Sequence, residues 1–210
     1  MDPLRYRVGP MKLIGLMGGI GAGKSSVSSR LATKGAVIID ADVLARRVVE
    51  PGAAAYAPLV ERFGRGVLNS DGTLHRAGLA AIVFHDKAAL SDLNGLTHPA
   101  IRAEIGAEIE TLKHQDVVVI LDAALLFETP RAEMVAKVVV DVDPEIAVAR
   151  LVQFRGFTED DAWARIRNQQ TREERLADTD YVIDNSGTAD DLDRAVDQAW
   201  SWIATVPNSA

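Results

Sequence analysis

The sequence contains no cysteine and only four histidines among its 210 residues. The lack of cysteine excludes disulfides, thiol nucleophiles and cysteine-ligated metal sites, and it agrees with a reducing compartment. An excess of basic residues is missing too, because the formal net charge is -7. Binding to a nucleic-acid backbone depends on lysine and arginine, so we expect no nucleic-acid partner.

Long apolar runs are also absent. No stretch approaches the ~20 residues that a membrane-spanning helix requires, and the first ten residues lack the apolar segment of a signal peptide. We therefore expect a cytoplasmic protein without a membrane partner, while its oligomeric state stays open. A strand pattern starts at Met11, so residues 1–10 are interpreted as a leader or tag and residues 204–210 as a tail.

Five short runs rich in branched apolar residues predict β-strands. Most are continuous rather than alternating, which is typical of parallel strands covered on both faces, and helical patterns lie between them. The fold class predicted is α/β, with a doubly wound, parallel, five-stranded sheet. The runs are Met11–Met17, Ala36–Asp40, Val117–Leu121, Lys137–Val142 and Tyr181–Asp184.

Helix signals surround these strands. Asp143 before Pro144 predicts a capped helix start, and Thr158 with Asp161 resembles a capping box. Residues 41–116 are far longer than the dozen or so that a simple crossover needs, which predicts a helical insert at about 58–112. A final amphipathic helix is predicted from one apolar face, formed by Leu192, Ala195, Val196, Ala199 and Ile203.

The stretch GLMGGIGAGKSSV follows the first predicted strand and precedes a helical pattern. Its segment Gly18–Ser25 matches the G-x-x-x-x-G-K-S phosphate-binding loop at every fixed position. In such a loop, main-chain N–H groups point into one concavity that accepts phosphate oxygens. Lys24 would neutralise the β- and γ-phosphates and Ser25 would bind Mg²⁺, so ATP or GTP with magnesium is predicted. The alternative is a merely flexible glycine turn.

Two acidic residues follow the second predicted strand. Asp40 and Asp42 would lie at the carboxyl edge of the sheet, where open α/β folds bind ligands. A carboxylate there could deprotonate an acceptor hydroxyl and help to arrange Mg²⁺ through water. The alternative is that either residue serves as a helix N-cap, for which Asp42 is also suited.

Six arginines are concentrated in one segment of this acidic chain. Guanidinium groups match phosphate oxygens and neutralise charge that moves during phosphoryl transfer, so the group suggests a lid that closes over a nucleotide. The alternative for any one of them is a solvated helix paired with nearby acids. The six are Arg150, Arg155, Arg165, Arg167, Arg172 and Arg175.

A GTPase is disfavoured, because the guanine-reading N-K-x-D segment is absent and the D-x-x-G at Asp184–Gly187 follows the last predicted strand. That segment is interpreted as a strand-end turn. A small-molecule kinase fits better. A catalytically inactive nucleotide-binding module and a kinase of another small alcohol or nucleoside remain as alternatives.

From Met11 to about Ile203, the chain closely resembles the dephospho-coenzyme A kinase family. The resemblance rests on several segments in order: IGLMGGIGAGKSSV, DADVLARRVVEPG, FGRGVLNSDGTLHRAGLAAIVF, LTHPAIR, ALLFE, LVQFRGFTEDDAWARIRNQQ and ADTDYVIDNSG. It implies a P-loop fold like that of nucleoside monophosphate kinases, with a helical substrate domain in the insert and a mobile lid at about 154–175. It also implies that ATP phosphorylates the ribose 3'-hydroxyl of dephospho-CoA, with Mg²⁺, as the last step of CoA synthesis.

The same resemblance implies roles for individual residues. Asp42 would be the base, Asp40 would hold Mg²⁺ through water, and Asp122 is a candidate for a second water-mediated contact. The acceptor side would include His98, Leu125 and Glu128, although the leucine could simply pack in the core. ATP would be bound by Gly19, Gly21, Ala22, Gly23, Lys24, Ser25 and Ser26, by the lid arginine Arg150 with Arg155 and Arg165, and by Asn185 near adenine, where an asparagine also suits a turn.

Overall fold

The computed structural model describes residues 10–123 and 134–208. Chain contacts divide the protein into two compact units, one formed by Met1–Ile39 with Leu112–Ala210 and the other by Asp40–Thr111. The elements, in chain order, are β1 Lys12–Gly18, α1 Lys24–Thr33, β2 Val37–Asp40, α2 Ala41–Arg47, α3 Tyr56–Phe63, α4 Arg76–His85, α5 Lys87–Leu112, β3 Val118–Asp122, β4 Met134–Asp141, α6 Pro144–Arg155, α7 Glu159–Arg167, α8 Arg172–Ala177, β5 Tyr181–Asp184 and α9 Ala189–Thr205.

The first unit is built on a five-stranded sheet with the order β2-β3-β1-β4-β5. Strand β1 lies in the centre and pairs in parallel with β3 on one side and β4 on the other, and β4 pairs in parallel with β5. All five predicted strands are present, and the predicted α/β class is confirmed. Because parallel strands end at the same edge, the loop after β1 lies between the ends of β3 and β4.

The central strands are buried on both faces, as their continuous apolar sequences predicted. In β1, every residue from Leu13 to Met17 is buried. One face of the sheet packs on α1 and α9 through a core that includes Ile14, Val27 and Ile183. The predicted amphipathic helix is α9, whose buried residues are Leu192, Val196, Ala199 and Ile203.

The helix starts agree with the caps that the sequence indicated. Asp143 accepts a hydrogen bond from the Glu145 N–H at the start of α6, with Pro144 in the first turn. Thr158 accepts one from the Asp161 N–H at the start of α7. A full capping box at α9, which was not predicted from the sequence, joins Thr188 and Asp191.

The second unit, Asp40–Thr111, is mostly helical and has its own small core. That core contains Val48, Leu59, Val67 and Leu79, all buried, and an isolated antiparallel bridge pairs Leu68 with Leu74. The segment between β2 and β3 is therefore helical, as predicted. Within the described part of the chain, no helix is both long enough and apolar enough to span a membrane.

Candidate nucleotide-binding site

The glycines between β1 and α1 are required by the conformation and packing of the loop. Gly21 and Gly23 have φ angles of 79° and 83°, in the left-handed region that disfavours other residues. A Cβ at Gly21 would lie 2.9 Å from the Ala147 carbonyl oxygen, and one at Gly23 would clash with the Asn185 side-chain nitrogen. The main chain of this loop is therefore packed against α6 and the turn after β5, which fixes its shape.

Helix α1 begins directly after this loop, with Gly23 at its N-cap position. Among the described residues, no side chain caps the helix, and its first turn contains no acidic residue. Ser25 and Ser26 are exposed in that first turn. An uncapped N-terminus with positive partial charge is suited to binding an anion such as a phosphate.

Lys24 and Ser28 both interact with Asp122 at the end of β3. The Asp122 side chain is only 4% exposed, forms a salt bridge with the Lys24 ammonium group, and accepts a 2.5 Å hydrogen bond from the Ser28 hydroxyl. Lysine and aspartate thus neutralise each other beside the loop. Lys24 and Asp122 were predicted from the sequence, whereas Ser28 was not, because its neighbours in the sequence do not distinguish it from an ordinary helix residue.

Arg150 reaches the opposite side of the loop from α6. One guanidinium nitrogen, Nη2, donates a 2.8 Å hydrogen bond to the Asn185 carbonyl oxygen. The other, Nη1, is buried and has no hydrogen-bond partner in the described residues, and it would lie 3.8 Å from a Cβ at Gly23. A buried guanidinium N–H without an acceptor is costly unless an oxygen reaches it. A phosphate in the loop would provide that oxygen, so the residues present fit a nucleotide.

Asn185, which follows β5, links this arginine to the loop. It is 6% exposed, and its side-chain amide donates a 2.7 Å hydrogen bond to the Ala22 carbonyl oxygen. Its main-chain N–H donates to the Asp141 carbonyl oxygen at 2.8 Å. The structure therefore gives Asn185 a structural role in the phosphate loop, in addition to the adenine contact that the resemblance implies.

A cavity of about 520 Å³ lies beside the loop. Its walls come from the first half of the loop, the end of β4 and the segment that forms α7 and α8, which falls in the predicted lid. Apolar walls are supplied by Ile20 and Trp163, and charged or polar walls by Gln169, Arg172 and Arg175. The cavity is large enough for a ligand and is open to the phosphate loop.

The predicted group of arginines separates into distinct environments. Arg172 forms a bidentate ion pair with the buried Asp141, with bonds of 2.5 to 3.0 Å, and this contact raises the pKa of Arg172. Arg155 is exposed at the end of α6. Arg165 is also exposed and lies over the Phe157 ring, 4.5 Å from its centroid. Of the three arginines assigned to ATP, Arg150 is the one that the structure places against the loop.

Arg175 lies against the start of the loop, and the sequence did not distinguish it from the other arginines of its group. Its guanidinium Nη2 would lie 3.0 Å from a Cβ at Gly19. Burial lowers the pKa of Arg175. Gln169, which precedes α8, accepts a 2.9 Å hydrogen bond from the Ile20 N–H. Nothing in the local pattern distinguishes these two residues, because their proximity to the loop depends on how α7 and α8 pack.

Asp40, Asp42 and His98, which were predicted for the acceptor side and its metal contact, lie in the second unit. The Asp40 carboxylate accepts hydrogen bonds from the N–H groups of Asp42, at 2.8 Å, and Val43, at 3.2 Å. Asp40 is therefore the N-cap of α2, a role for which the sequence also suited Asp42. Asp42 is exposed, and its carboxylate makes no hydrogen bond or ion pair within the described ranges. His98 lies on α5 and is half-buried, whereas Leu125 and Glu128 fall outside the described residues.

The described residues contain no group of three or more histidine, aspartate or glutamate side chains that could hold a metal ion. The Ser25 hydroxyl, exposed at the start of α1, is the one predicted metal ligand located in the phosphate loop itself.

Comparison with known proteins agrees with this geometry. The sequence profile described as dephospho-CoA kinase matches residues 12–191. The dephospho-CoA kinase of Corynebacterium diphtheriae is 45% identical over 197 residues, which cover 93% of this chain and 98% of that protein. The dephospho-CoA kinase of Streptomyces avermitilis is 48% identical over 192 residues, covering 91% and 93%.

Solved structures show the same fold. The crystal structure of TT1252 from Thermus thermophilus superposes with a TM-score of 0.77 at 29% identity, covering 92% of this chain and 98% of that one. Dephospho-CoA kinase from Campylobacter jejuni gives a TM-score of 0.67 at 23% identity, covering 92% and 97%. With the profile match over most of the sequence and relatives at 45% and 48% identity, the chain belongs to the dephospho-CoA kinase family.

Proposed function

We propose that this protein transfers the γ-phosphate of ATP to the ribose 3'-hydroxyl of dephospho-CoA, releasing coenzyme A and ADP, as the last step of coenzyme A synthesis in the cytoplasm. The observation that carries the nucleotide part of this proposal is the buried Nη1 of Arg150, which has no acceptor among the described residues and lies beside Gly23. The acceptor, dephospho-CoA, is proposed because the chain belongs to the dephospho-CoA kinase family.

The phosphates of ATP would be held by the main chain of the loop and the start of α1. The contacts proposed come from Gly19, Gly21, Ala22, Gly23, Lys24, Ser25 and Ser26, with the loop shape fixed by the close packing at Gly21 and Gly23. Lys24 would exchange its partner Asp122 for a phosphate oxygen. This exchange keeps the ammonium charge neutralised in both states.

Mg²⁺ would be held by the Ser25 hydroxyl together with the nucleotide, with Asp40 and Asp122 as candidates for contacts through water. When bound, it would supply positive charge that offsets the negative charge of the phosphates. Asp122 would then balance the local charge as Lys24 turns to the nucleotide, because its carboxylate is fixed by Ser28.

Around the rest of the nucleotide, Arg150 would donate a hydrogen bond from Nη1 to a phosphate, while Nη2 continues to donate to the Asn185 carbonyl oxygen. Its charge would stabilise the bridging oxygen as the bond to ADP breaks. Arg155 and Arg165 are further candidates, since both are exposed in or next to the predicted lid. The segment at Asn185 would contact adenine.

On the acceptor side, we propose that Asp42 accepts the proton of the 3'-hydroxyl as its oxygen attacks the γ-phosphorus. Its carboxylate is suited to this role because it is exposed and, within the described residues, is not used in a hydrogen bond, whereas Asp40 is used as a helix cap. His98, Leu125 and Glu128 complete the proposed acceptor side.

The test is ADP formation by the purified protein with ATP and Mg²⁺, with and without dephospho-CoA and with a panel of other alcohols and nucleosides. We expect ADP formation to depend on dephospho-CoA, with one coenzyme A formed per ADP. Strong turnover of another acceptor with none of dephospho-CoA would assign the protein to a different substrate. Binding of ATP without turnover of any acceptor would indicate an inactive nucleotide-binding module.

A further inference from the structure

Two residues contact the strand end of the phosphate loop, one between α7 and α8 and one in α8, and the family resemblance assigned neither of them. The Gln169 side-chain oxygen accepts the Ile20 N–H at 2.9 Å. The Arg175 guanidinium lies against Gly19, with Nη2 3.0 Å from the position of a Cβ there. Both residues line the cavity of about 520 Å³ beside the loop.

The two arginines near this end of the loop, Arg172 and Arg175, differ in whether a carboxylate neutralises their charge. Arg172 is fully committed to Asp141 by a bidentate ion pair. Arg175 donates from Nη1 to the Gln170 carbonyl oxygen, but within the described part of the chain it forms no ion pair with a carboxylate. A half-buried guanidinium without a carboxylate partner, facing a cavity, is an anion-binding group.

Different arginines lie at the two ends of the loop. Arg150 and Asn185 lie at the helix end, beside Gly23, and Arg175 and Gln169 lie at the strand end, beside Gly19. The N-terminus of α1 and the second half of such a loop bind the α- and β-phosphates of a nucleotide. The strand end is therefore where the additional phosphate of a triphosphate would lie.

We propose that Arg175 distinguishes ATP from ADP by pairing with the terminal phosphate, and that Gln169 occupies the Ile20 N–H and competes with this phosphate until the phosphate displaces it. This inference rests on the proposed use of ATP and adds to it the residues that read the terminal phosphate. The Gln169 oxygen is a neutral substitute for a phosphate oxygen on the same N–H. Replacing it by an anion strengthens the hydrogen bond and provides the partner that Arg175 lacks.

The test measures nucleotide affinity by calorimetry in the absence of any acceptor, with Mg²⁺ and either ADP or a non-hydrolysable ATP analogue. Arg175→Ala should weaken binding of the ATP analogue by about tenfold or more, since a hydrogen bond between charged groups is lost. Binding of ADP should change less than about twofold. Arg175→Lys should recover part of the loss, because it restores the charge without the forked geometry.

Gln169→Ala should have the opposite effect on the affinity for the ATP analogue. Without the competing side-chain oxygen, the Ile20 N–H is free for the phosphate, so the ATP analogue should bind about two- to fivefold more tightly while ADP is unaffected. The matched control is Arg194→Ala, which removes an exposed arginine paired with Asp191 on α9 and should change neither affinity. Melting temperatures of all variants identify any loss of folded protein.

Equal weakening of ADP and the ATP analogue by Arg175→Ala would overturn the proposal, and so would weaker ATP binding in Gln169→Ala. These outcomes are separate from those of the proposed function. A protein that discriminates ATP from ADP through Arg175 but does not phosphorylate dephospho-CoA would refute the substrate and leave this inference standing. A protein that phosphorylates dephospho-CoA but whose ATP and ADP affinities do not differ in their response to Arg175→Ala would refute this inference and leave the proposed function standing.

Discussion

Asn185 donates a buried 2.7 Å hydrogen bond from its side-chain amide to the main-chain carbonyl oxygen of Ala22. The two residues are 163 positions apart in the sequence, and the bond connects the turn after the last strand to the phosphate loop after the first. The main-chain carbonyl oxygen of Asn185 also accepts a hydrogen bond from Arg150. The position of the arginine and the shape of the loop therefore both depend on Asn185. This dependence gives a first prediction.

Replacing Asn185 by alanine leaves the Ala22 carbonyl oxygen buried without a donor. We expect a loss of about 1–3 kcal/mol in the free energy of unfolding, which is the cost of an unsatisfied buried acceptor. The KM for ATP should rise together with this loss. Urea denaturation and initial-rate kinetics measure the two effects, with Asn208→Ala as an exposed asparagine control. A variant with unchanged stability and KM would show that the bond is not required.

The ion pair of Lys24 with Asp122 predicts a stability effect that is separable from catalysis. Lys24→Met leaves the Asp122 carboxylate buried without its cation, which should cost about 3–5 kcal/mol and abolish ATP binding. In the double variant with Asp122→Asn, the buried charge is removed, so most of the stability should return while ATP binding stays lost. Thermal unfolding and calorimetry distinguish these results. If the double variant were as unstable as the single one, the pair would not be the cause.

The two acids after β2 should respond differently to the same substitution. Asp42→Asn should lower kcat by about 10²–10⁴ and leave the KM for ATP nearly unchanged, because it removes the proposed base and not a phosphate contact. Asp40→Asn should keep the helix cap, since asparagine is as good an N-cap as aspartate, whereas Asp40→Ala should cost about 1 kcal/mol. Equal weakening of ATP binding and turnover by Asp42→Asn would contradict the base role.

Two glycines with positive φ provide a matched pair for testing the loop packing. Gly35 has a φ of 104° and open space around it, so Gly35→Ala should cost only the backbone strain, about 1–2 kcal/mol. Gly21 has a φ of 79°, and its Cβ would also lie 2.9 Å from the Ala147 carbonyl oxygen. Gly21→Ala should therefore be more destabilising and should also abolish ATP binding. Similar losses of stability in the two variants would show that contact with α6 does not constrain the loop.

The capping box at α9 predicts a pH dependence. Hydrogen bonds from the Thr188 side chain and main chain hold the pKa of Asp191 below its ordinary value. The folded-state pKa is thus lower than that of the unfolded chain, so this contribution to stability is present above the ordinary aspartate pKa and is lost as the pH falls through the folded value. Thr188→Ala should raise the pKa of Asp191, as measured by NMR titration of its carboxyl group. An unchanged titration would exclude the Thr188 hydroxyl as a cause.

Local patterns were sufficient for most of the fold. The strands were predicted because parallel, buried strands require continuous runs of branched apolar residues, as in β1 and β4. The caps at Asp143 and Thr158 were predicted because they act within three residues of themselves. The phosphate loop was identified because its glycines, lysine and serine must occur at fixed spacing to enclose an anion.

The rest of the candidate site depends on contacts between distant segments. The arginine group was recognised, but spacing along α6, α7 and α8 does not determine which guanidinium reaches the loop. Arg175 lies at Gly19 and Arg165 lies over Phe157 because of how those helices end and pack. The partners of Asp122 and the use of Asp40 rather than Asp42 as a cap are likewise decided by the folded structure.

The position of β1 at the centre of the sheet has a consequence for folding kinetics. Lys12 lies opposite Val118 and Leu13 opposite Met134, so both neighbours of this first strand are synthesised roughly a hundred residues after it. Such sequence-distant pairing is associated with slow folding and with a nascent apolar strand exposed to aggregation. We therefore infer that, during synthesis on the ribosome, the phosphate loop acquires its shape only after β3 and β4 have emerged.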